Sequence, residues 1–418
     1  METVAARSGG DWIKWVEGDV LDRIVDSAGG TPVYAYDANV LRQRARELRA
    51  AFRQAEIRYA MKANANPAIL RLLREEGLGV DTVSPYEIRL AREVGFKRRE
   101  IAYSGNNPSD QELRAVHRRG VLLNLDALSA LERFGRIAPG SRVSLRLNLD
   151  IGAGHHPHVI TAGPDSKFGL SAEDIPEARR ICEAHDLRIV GLHQHIGSGL
   201  FDSEPFLTAA ERLFELAASF RDLELIDIGG GFGVPYRESE RPVDLIAWGA
   251  AIRKRLRRAE RALDRKLRLL IEPGRYVVAE AGVLITRVTT VKRTRDRVFV
   301  GVDSGMHHLV RPAMYQSFHP IHVFAQGEGA KRKPSEVARC FFVGPICESG
   351  DVLAEDRMMV PPREGDLVAV GVAGAYGFAM GSHYNLRAMP AEVMVDGGEV
   401  RVVRERERYR DVVRKRDL

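Results

Sequence analysis

Eight short apolar runs, each separated from the next by a stretch long enough for a helix, constrain this 418-residue chain more than any other feature. They read IRYAMKA, LGVDTVS, EIAYSG, VLLNL, RVSLRLN, RIVGLHQH, LELIDIGGG and LRLLIEPG. Runs this short and this apolar suit strands buried on both faces, whereas VLRQRARELRAAF and FLTAAERLFELAASF space their apolar residues three and four apart, as amphipathic helices do. Ser84 with Glu87 and Ser109 with Glu112 have capping-box spacing, and Pro85 falls at a first helical position. A strand followed by a helix eight times implies a parallel sheet with helices outside, the number that closes a (β/α)8 TIM-type barrel. A doubly wound open sheet is the alternative.

Beyond about residue 280 the texture changes to short alternating runs such as GVLITRVTTVKRT, RVFVGVDS and AEVMVDGGEVRVVRE, broken by glycine-rich turns. That pattern predicts an antiparallel β domain. The expected organisation is residues 1–30 as an N-terminal segment joining the β domain, 31–280 as the barrel and 281–418 as the C-terminal β domain. A chain with 44% apolar and 29% charged residues can build such cores, and its formal charge of +6 is interspersed rather than gathered, which argues against a nucleic-acid partner. Cys182, Cys340 and Cys347 lack metal-site or disulfide-framework spacing. They suit a reducing compartment. With no apolar run of about 18 residues and no apolar leader, the expectation is a cytoplasmic protein without a membrane partner. The tail RVVRERERYRDVVRKRDL reads as solvated charge.

Chemistry collects at one end of the eight runs. Lys62, HQHIGSG, GGGFG and EPGR follow the first, sixth, seventh and eighth strands, and the C-terminal rim is where such barrels build their sites. A lysine closing an apolar strand either snorkels to water or serves as an amine. The glycines at 229–231 would let backbone N–H groups approach an anion, with Ser198 and Arg275 adding to it. A phosphate site facing an amine is the arrangement that holds pyridoxal phosphate, with Glu272 placed to keep a proton on the ring nitrogen and His195 to lie against the ring. The bland reading of His195 is a satisfied core histidine. His155, His156 and His158 have a spacing a metal could use, but a histidine-rich loop reads as polar surface and no metal is expected.

The segments YAMKANANP, SGNNPSD, SKFGL, HQHIGSG, IGGGFG, EPGRYVV, VDSGMHHLVRPAMY, GPICESGD and GAYGFAMGSHYN, in this order, resemble the fold-type III pyridoxal-phosphate decarboxylases, the alanine-racemase-like barrel group. The resemblance runs from TPVYAYD at 31 to PAEVMV at 390. It implies pyridoxal 5'-phosphate held by Lys62 as a Schiff base, His195 stacked on the ring and Glu272 at its nitrogen. Ser198, Gly230, Gly231, Gly274 and Arg275 would surround the phosphate, with Tyr376 nearby. It also implies a homodimer with shared active sites, in which Cys347 and Glu348 serve the partner subunit and Cys347 is a proton donor. In the diaminopimelate branch, residues matching Arg275, Arg311, Tyr315, Glu348 and Tyr376 bind the substrate, and all five are present.

An arginine for a distal carboxylate and a glutamate for a distal ammonium imply a substrate with a distal amino-acid group, and the resemblance implies decarboxylation of the small-molecule amino acid meso-2,6-diaminopimelate to L-lysine. A related decarboxylase acting on ornithine, lysine, arginine or a carrier-bound amino acid is the alternative, followed by a racemase and by a non-enzymatic cofactor-binding protein. This chain departs from the family's usual residues at Ser84-Pro85-Tyr86-Glu87, where Gly-Gly usually follows the serine, and at His307-His308, where Asn-Asp is usual. SHYNLRAMP also replaces the usual SNYNSRPRP.

Overall fold

The computed structural model describes residues 12–154, 156, 160–163, 166–326 and 336–414. They fold into two compact units, one of residues 42–234 and 242–277, the other of residues 1–41, 235–241 and 278–418 as far as these are described. Val33–Asp37 is strand β1. Eight further strands, β2 (Ala55–Ala60), β3 (Gly79–Thr82), β4 (Ile101–Tyr103), β5 (Leu122–Leu125), β6 (Arg142–Arg146), β7 (Arg188–His193), β8 (Leu225–Asp227) and β9 (Arg268–Ile271), form a closed barrel in that order. Every pairing is parallel, and Ala55 set against Leu269 closes the ring. The eight apolar runs are these eight strands.

Local chemistry sets the connections. Ser84 Oγ accepts the Glu87 N–H at 3.1 Å before the helix Pro85–Val94, and the glutamate reaches back to the Val83 N–H at 2.6 Å. Ser109 and Glu112 form a complete capping box on the helix Asp110–Arg118. The helix Leu245–Leu263 presents Trp248, and the helix Glu204–Ala217 presents Phe206, to a buried aromatic cluster completed by Phe52, Phe232 and Tyr276. Phe232 is the centre of that cluster, with ring centroids 5.4 Å from Phe52 and Phe206 and 5.8 Å from Trp248. It belongs to GGGFG, so the helical layer anchors the loop that leaves the barrel rim.

The second unit is built on β1, which is buried along its whole length and lies in the second sheet, inside the span expected to be barrel. β10 (Gly282–Thr294), β11 (Arg297–Val302), β12 (Ile321–Phe324), β13 (Ala338–Val343), β14 (Val352–Met359), β15 (Leu367–Val370), β16 (Ala391–Asp396) and β17 (Glu399–Arg404) complete it. The sheet runs β14-β13-β11-β10-β1-β16-β17, with β15 pairing β10 and β12. Two ladders, β1 with β16 and β11 with β13, are parallel, so the expected antiparallel domain is a mixed sheet. Parallel pairing joins strands far apart in the chain, which no local turn announces. The helix Asp19–Ser27 lays Leu21, Ile24 and Val25 on Val33, Ala35, Val283, Ile285 and Val393. Glu392, wholly buried on β16, is matched by the Tyr36 hydroxyl at 2.7 Å and by the Arg404 guanidinium. Among the described residues no helix is long and apolar enough to cross a membrane.

Emptying the centre of the aromatic cluster with Phe232→Ala should cost about 3–5 kcal/mol in urea unfolding. Phe232→Leu should cost less than half of that. Equal stability of the alanine variant and the parent would show that the cluster does not anchor the loop.

Candidate active site

The expectation that a strand runs through Lys62 to Ala63 is corrected: β2 ends at Ala60, and Met61–Ala63 is a 3-10 turn. The ANANP segment forms the exit from the rim. Asn64 Oδ1 accepts the Asn66 N–H at 3.0 Å, and Asn66 Oδ1 caps the next helix through the Ala68 N–H at 2.9 Å. With the Tyr59 hydroxyl donating to the Asn64 carbonyl at 2.9 Å, the turn is fixed from both sides.

Lys62 Nζ lies 3.5 Å from Asp81 Oδ2, and its side chain keeps 36% of its exposure while the aspartate has none. Ser104 Oγ donates to the other Asp81 oxygen at 2.6 Å. Burial pushes the Asp81 carboxyl well above its ordinary range, and the nearby Glu272 charge adds to that against the pull of Lys62. Beside a primary amine, such a carboxyl can take up and return a proton near neutral pH.

Deeper in the rim, His193 Nε2 and Glu272 Oε2 are 2.9 Å apart, with both side chains almost fully buried. Asp227 sits against them. Its Oδ1 accepts the Gly229 N–H at 2.9 Å, while Asp227 Oδ2 and Glu272 Oε1 are buried oxygens to which no N–H or hydroxyl donates among the described residues. Burial drives the Asp227 carboxyl strongly upward, so it holds its proton. For Glu272 burial acts the same way, but His193, the Lys62 charge and Asp227 together outweigh it and keep the group ionised. One donor atom from each of His193, Asp227 and Glu272 lies within 4.8 Å of the others, a possible metal-ligand set. Here Nε2 and Oε2 are spent on each other, which favours a hydrogen-bonded relay over a metal centre. Of the histidine-rich loop, His155 and His158 lie outside the described residues.

His195 Nδ1 accepts the Gly230 N–H at 3.3 Å, and burial followed by the Lys62 and Arg146 charges drives its pKa well down. The ring is therefore neutral. Two glycines shape the cradle beside it. A Cβ at Gly230 would lie 2.2 Å from the Glu272 carbonyl oxygen, and one at Gly231, whose φ is +108°, would lie 2.4 Å from that of Gly197. The Gly231 carbonyl accepts from both Gly199 and Leu200 at 2.9 Å, and Arg275 Nε donates to Ser198 Oγ at 3.1 Å. Gly274 opens the turn that ends in the Val277 N–H to Gly274 carbonyl bond at 3.1 Å. Lys62, His195, Ser198, Gly230, Gly231, Glu272, Gly274 and Arg275 thus share one rim. The amine, the ionised acceptor Glu272 Oε1 and the glycine cradle fit the aldehyde, ring nitrogen and phosphate of pyridoxal phosphate respectively.

Sequence reasoning passed over Asp81, Arg146, His193 and Asp227. Each was a polar residue inside an apolar run, the same signal that singled out Lys62. Arg146 is buried on β6 with its guanidinium 4.6 Å from the ring of Phe168 in SKFGL.

The remaining predicted residues lie on three segments of the β unit. Arg311 and Tyr315 share the short helix Arg311–Tyr315, with Arg311 buried. Cys347 and Glu348 lie exposed on the loop after β13, whose backbone is held by Asp351: its two oxygens accept Met306 N–H at 2.6 Å and Ile346 N–H at 2.7 Å. Asn385 Oδ1 accepts the Cys347 N–H at 2.8 Å. Tyr376 has a left-handed backbone, φ +57°, a conformation costing roughly 1–2 kcal/mol outside glycine.

His307 and His308 are buried with ring centroids 3.7 Å apart. His308 Nε2 donates to the Ala388 carbonyl at 3.0 Å, which leaves Nδ1 to accept from Ser304 Oγ at 3.0 Å. Burial first, then mutual repulsion, pushes His307 down to about 3; burial pushes His308 down to about 4. Unfolded histidines take up protons as pH falls through about 6.5, while the folded pair stays neutral, so stability is lost from pH 6.5 toward pH 4. His307→Asn should reduce the loss between pH 6.5 and 5 by about 2 kcal/mol in urea titrations, one proton fewer being taken up on unfolding. An unchanged loss would place His307 outside the acid response.

Residues 38–279 match the family described as pyridoxal-dependent decarboxylase, pyridoxal binding domain. A diaminopimelate decarboxylase of Methanothermobacter thermautotrophicus is 44% identical over 397 residues, covering 92% of this chain and 91% of that protein. One from Aquifex aeolicus is 37% identical, covering 96% and 94%. The crystal structure of diaminopimelate decarboxylase from Helicobacter pylori complexed with L-lysine superposes with a TM-score of 0.83 at 34% identity, covering 92% of this chain and 96% of that one. With an amine, a buried carboxylate and a glycine-lined turn on one barrel rim, and likeness of this extent along its length, the chain belongs to the pyridoxal-dependent decarboxylase family and, within it, to the diaminopimelate decarboxylases.

Proposed function

We propose that Lys62, His195, Ser198, Gly230, Gly231, Glu272, Gly274, Arg275 and Tyr376 hold pyridoxal 5'-phosphate for the decarboxylation of meso-2,6-diaminopimelate to L-lysine. The observation that carries this reading is the single rim on which Lys62 Nζ stands 3.5 Å from a buried carboxylate while Glu272 is held by His193 at 2.9 Å. When bound, the cofactor supplies an electron sink for the pair left behind as CO2 departs.

The chain's own groups supply the rest. Asp81 relieves Lys62 Nζ of the proton an amine must shed to act as a nucleophile. Glu272 holds a proton at the ring nitrogen, backed by His193 and Asp227. The neutral His195 would cover one ring face without adding charge beside the phosphate, whose own charge would be met by Arg275, the Ser198 hydroxyl and the Gly231 end of the glycine turn, the Gly229 and Gly230 N–H groups being held by Asp227 and His195. Arg311 receives the distal carboxylate and Glu348 the distal ammonium, with Arg275, Tyr315 and Tyr376 completing the substrate's surroundings. Cys347 Sγ gives the proton to the carbon that loses CO2.

Cys347 and Glu348 are exposed on the single chain, an arrangement that suits donation to the site of a second subunit in a homodimer. The compartment proposed is the cytoplasm, where Cys347 stays reduced.

Lys62→Ala should abolish turnover and the near-visible absorbance of the bound cofactor together, and full retained activity would sink the reading. Cys347→Ala should slow turnover at least tenfold with cofactor still bound, as loss of a general acid does. Supplying meso-diaminopimelate, lysine, ornithine and arginine in turn, CO2 should come from the first alone; release from ornithine or lysine instead would assign the chain to a sister activity.

A further inference from the structure

The segment RPAMYQSFH folds back on itself so that Arg311 meets a histidine eight residues further on. Gln316 takes a left-handed conformation at φ +51° at the end of the short helix, and the Ser317 N–H returns to the Arg311 carbonyl at 3.4 Å. His319 has no exposure at all. Its Nδ1 lies 2.8 Å from the Gly371 carbonyl oxygen, which can only accept, so Nδ1 carries the proton. In that neutral tautomer Nε2 carries the lone pair. It stands 3.0 Å from Arg311 Nη1 and accepts from it.

The second proton of Nη1 goes to the Tyr236 hydroxyl at 2.9 Å, and Nη2 donates to Ser317 Oγ at 3.3 Å. Tyr236 and His319 brace each other edge to face with centroids 5.3 Å apart. The histidine is itself anchored, since the Gly371 N–H donates to the Pro320 carbonyl at 2.8 Å and Arg357 Nη2 donates to the His319 carbonyl at 2.9 Å. Both protons of Nη1 are therefore committed to neutral acceptors. The guanidinium cannot turn without breaking the buried bond to His319 and the half-buried one to Tyr236.

We infer that His319 and Tyr236 are positioning residues that fix the guanidinium plane of Arg311, and through it the discrimination in favour of a substrate bearing a distal carboxylate. The inference rests on the reading of Arg311 as the group that receives that carboxylate. It deepens that reading by giving the arginine a fixed plane. A preset orientation avoids the cost of ordering a long side chain at each binding event.

The test uses the holoenzyme and two competitive inhibitors that differ by one group: L-lysine, which carries the carboxylate, and 1,5-diaminopentane, which lacks it. His319→Leu removes the acceptor, His319→Gln keeps an amide oxygen able to replace it, and Tyr236→Phe removes only the hydroxyl. The KM for meso-diaminopimelate and the inhibition constant of L-lysine should each rise about tenfold in His319→Leu, the effect of one buried hydrogen bond. Tyr236→Phe should move them the same way by a smaller factor, and His319→Gln should recover most of the loss.

The constant for 1,5-diaminopentane should stay within about twofold throughout, which general loosening of the fold would not allow. Equal weakening of both inhibitors, or of neither, in His319→Leu and Tyr236→Phe would overturn the inference. Arg311→Met separates the two levels. If it weakens L-lysine while the His319 and Tyr236 variants do not, positioning alone is wrong; if it leaves L-lysine unaffected, the substrate role of Arg311 falls and positioning falls with it.

Discussion

A carboxylate buried at the mouth of a closed barrel must either take up a proton or be matched, and the candidate site depends on how Glu272 is matched. His193 meets one oxygen at 2.9 Å, the Lys62 charge is near, and Asp227 is driven by burial to hold a proton beside the other. Three polar groups thereby keep one negative charge in a place that would otherwise neutralise it. That charge is what a ring nitrogen needs if it is to stay protonated. The parallel barrel makes the arrangement possible, because neighbouring strands deliver His193, Asp227 and the residue after β9 to the same end of the ring.

The second unit solves a different problem, that of holding the proposed substrate-binding and proton-donating groups still on loops. Asp351 ties two loop backbones together beneath Cys347, Asn385 fixes the Cys347 amide, and His319 orients the Arg311 guanidinium. The left-handed backbones of Tyr376 in the Gly-Ala-Tyr-Gly turn and of Val372 just before it show that this segment is held against its local preference. Asp351 and His319, the buried members of this set, are polar groups whose hydrogen bonds go to the segments they hold.

Much of this was legible before the structure. The eight strands could be read because strands covered on both faces are apolar throughout, and Ser109 with Glu112 formed the capping box its spacing predicted. The place of Lys62 at the end of the first barrel strand was equally plain, although the strand stops two residues earlier and a 3-10 turn carries the amine. Less legible were the two parallel ladders of the second sheet and the membership of β1 in it, since long-range pairing leaves no local mark. His193, Asp227 and Asp81 were missed for another reason. Their apolar neighbours masked them, while the glycines and the second histidine of HQH drew attention to the loops. Asking which acid or base interrupts each apolar strand would have found all three.

The central claim is that Glu272 remains ionised and keeps a proton on the ring nitrogen of the bound cofactor. Nitrogen NMR of the holoenzyme carrying ring-labelled pyridoxal phosphate reads that proton directly. The account predicts the shift of a protonated ring nitrogen in the parent enzyme at neutral pH, moving to that of an unprotonated ring in Glu272→Gln. An unprotonated ring in the parent, or the same shift in both proteins, would contradict it.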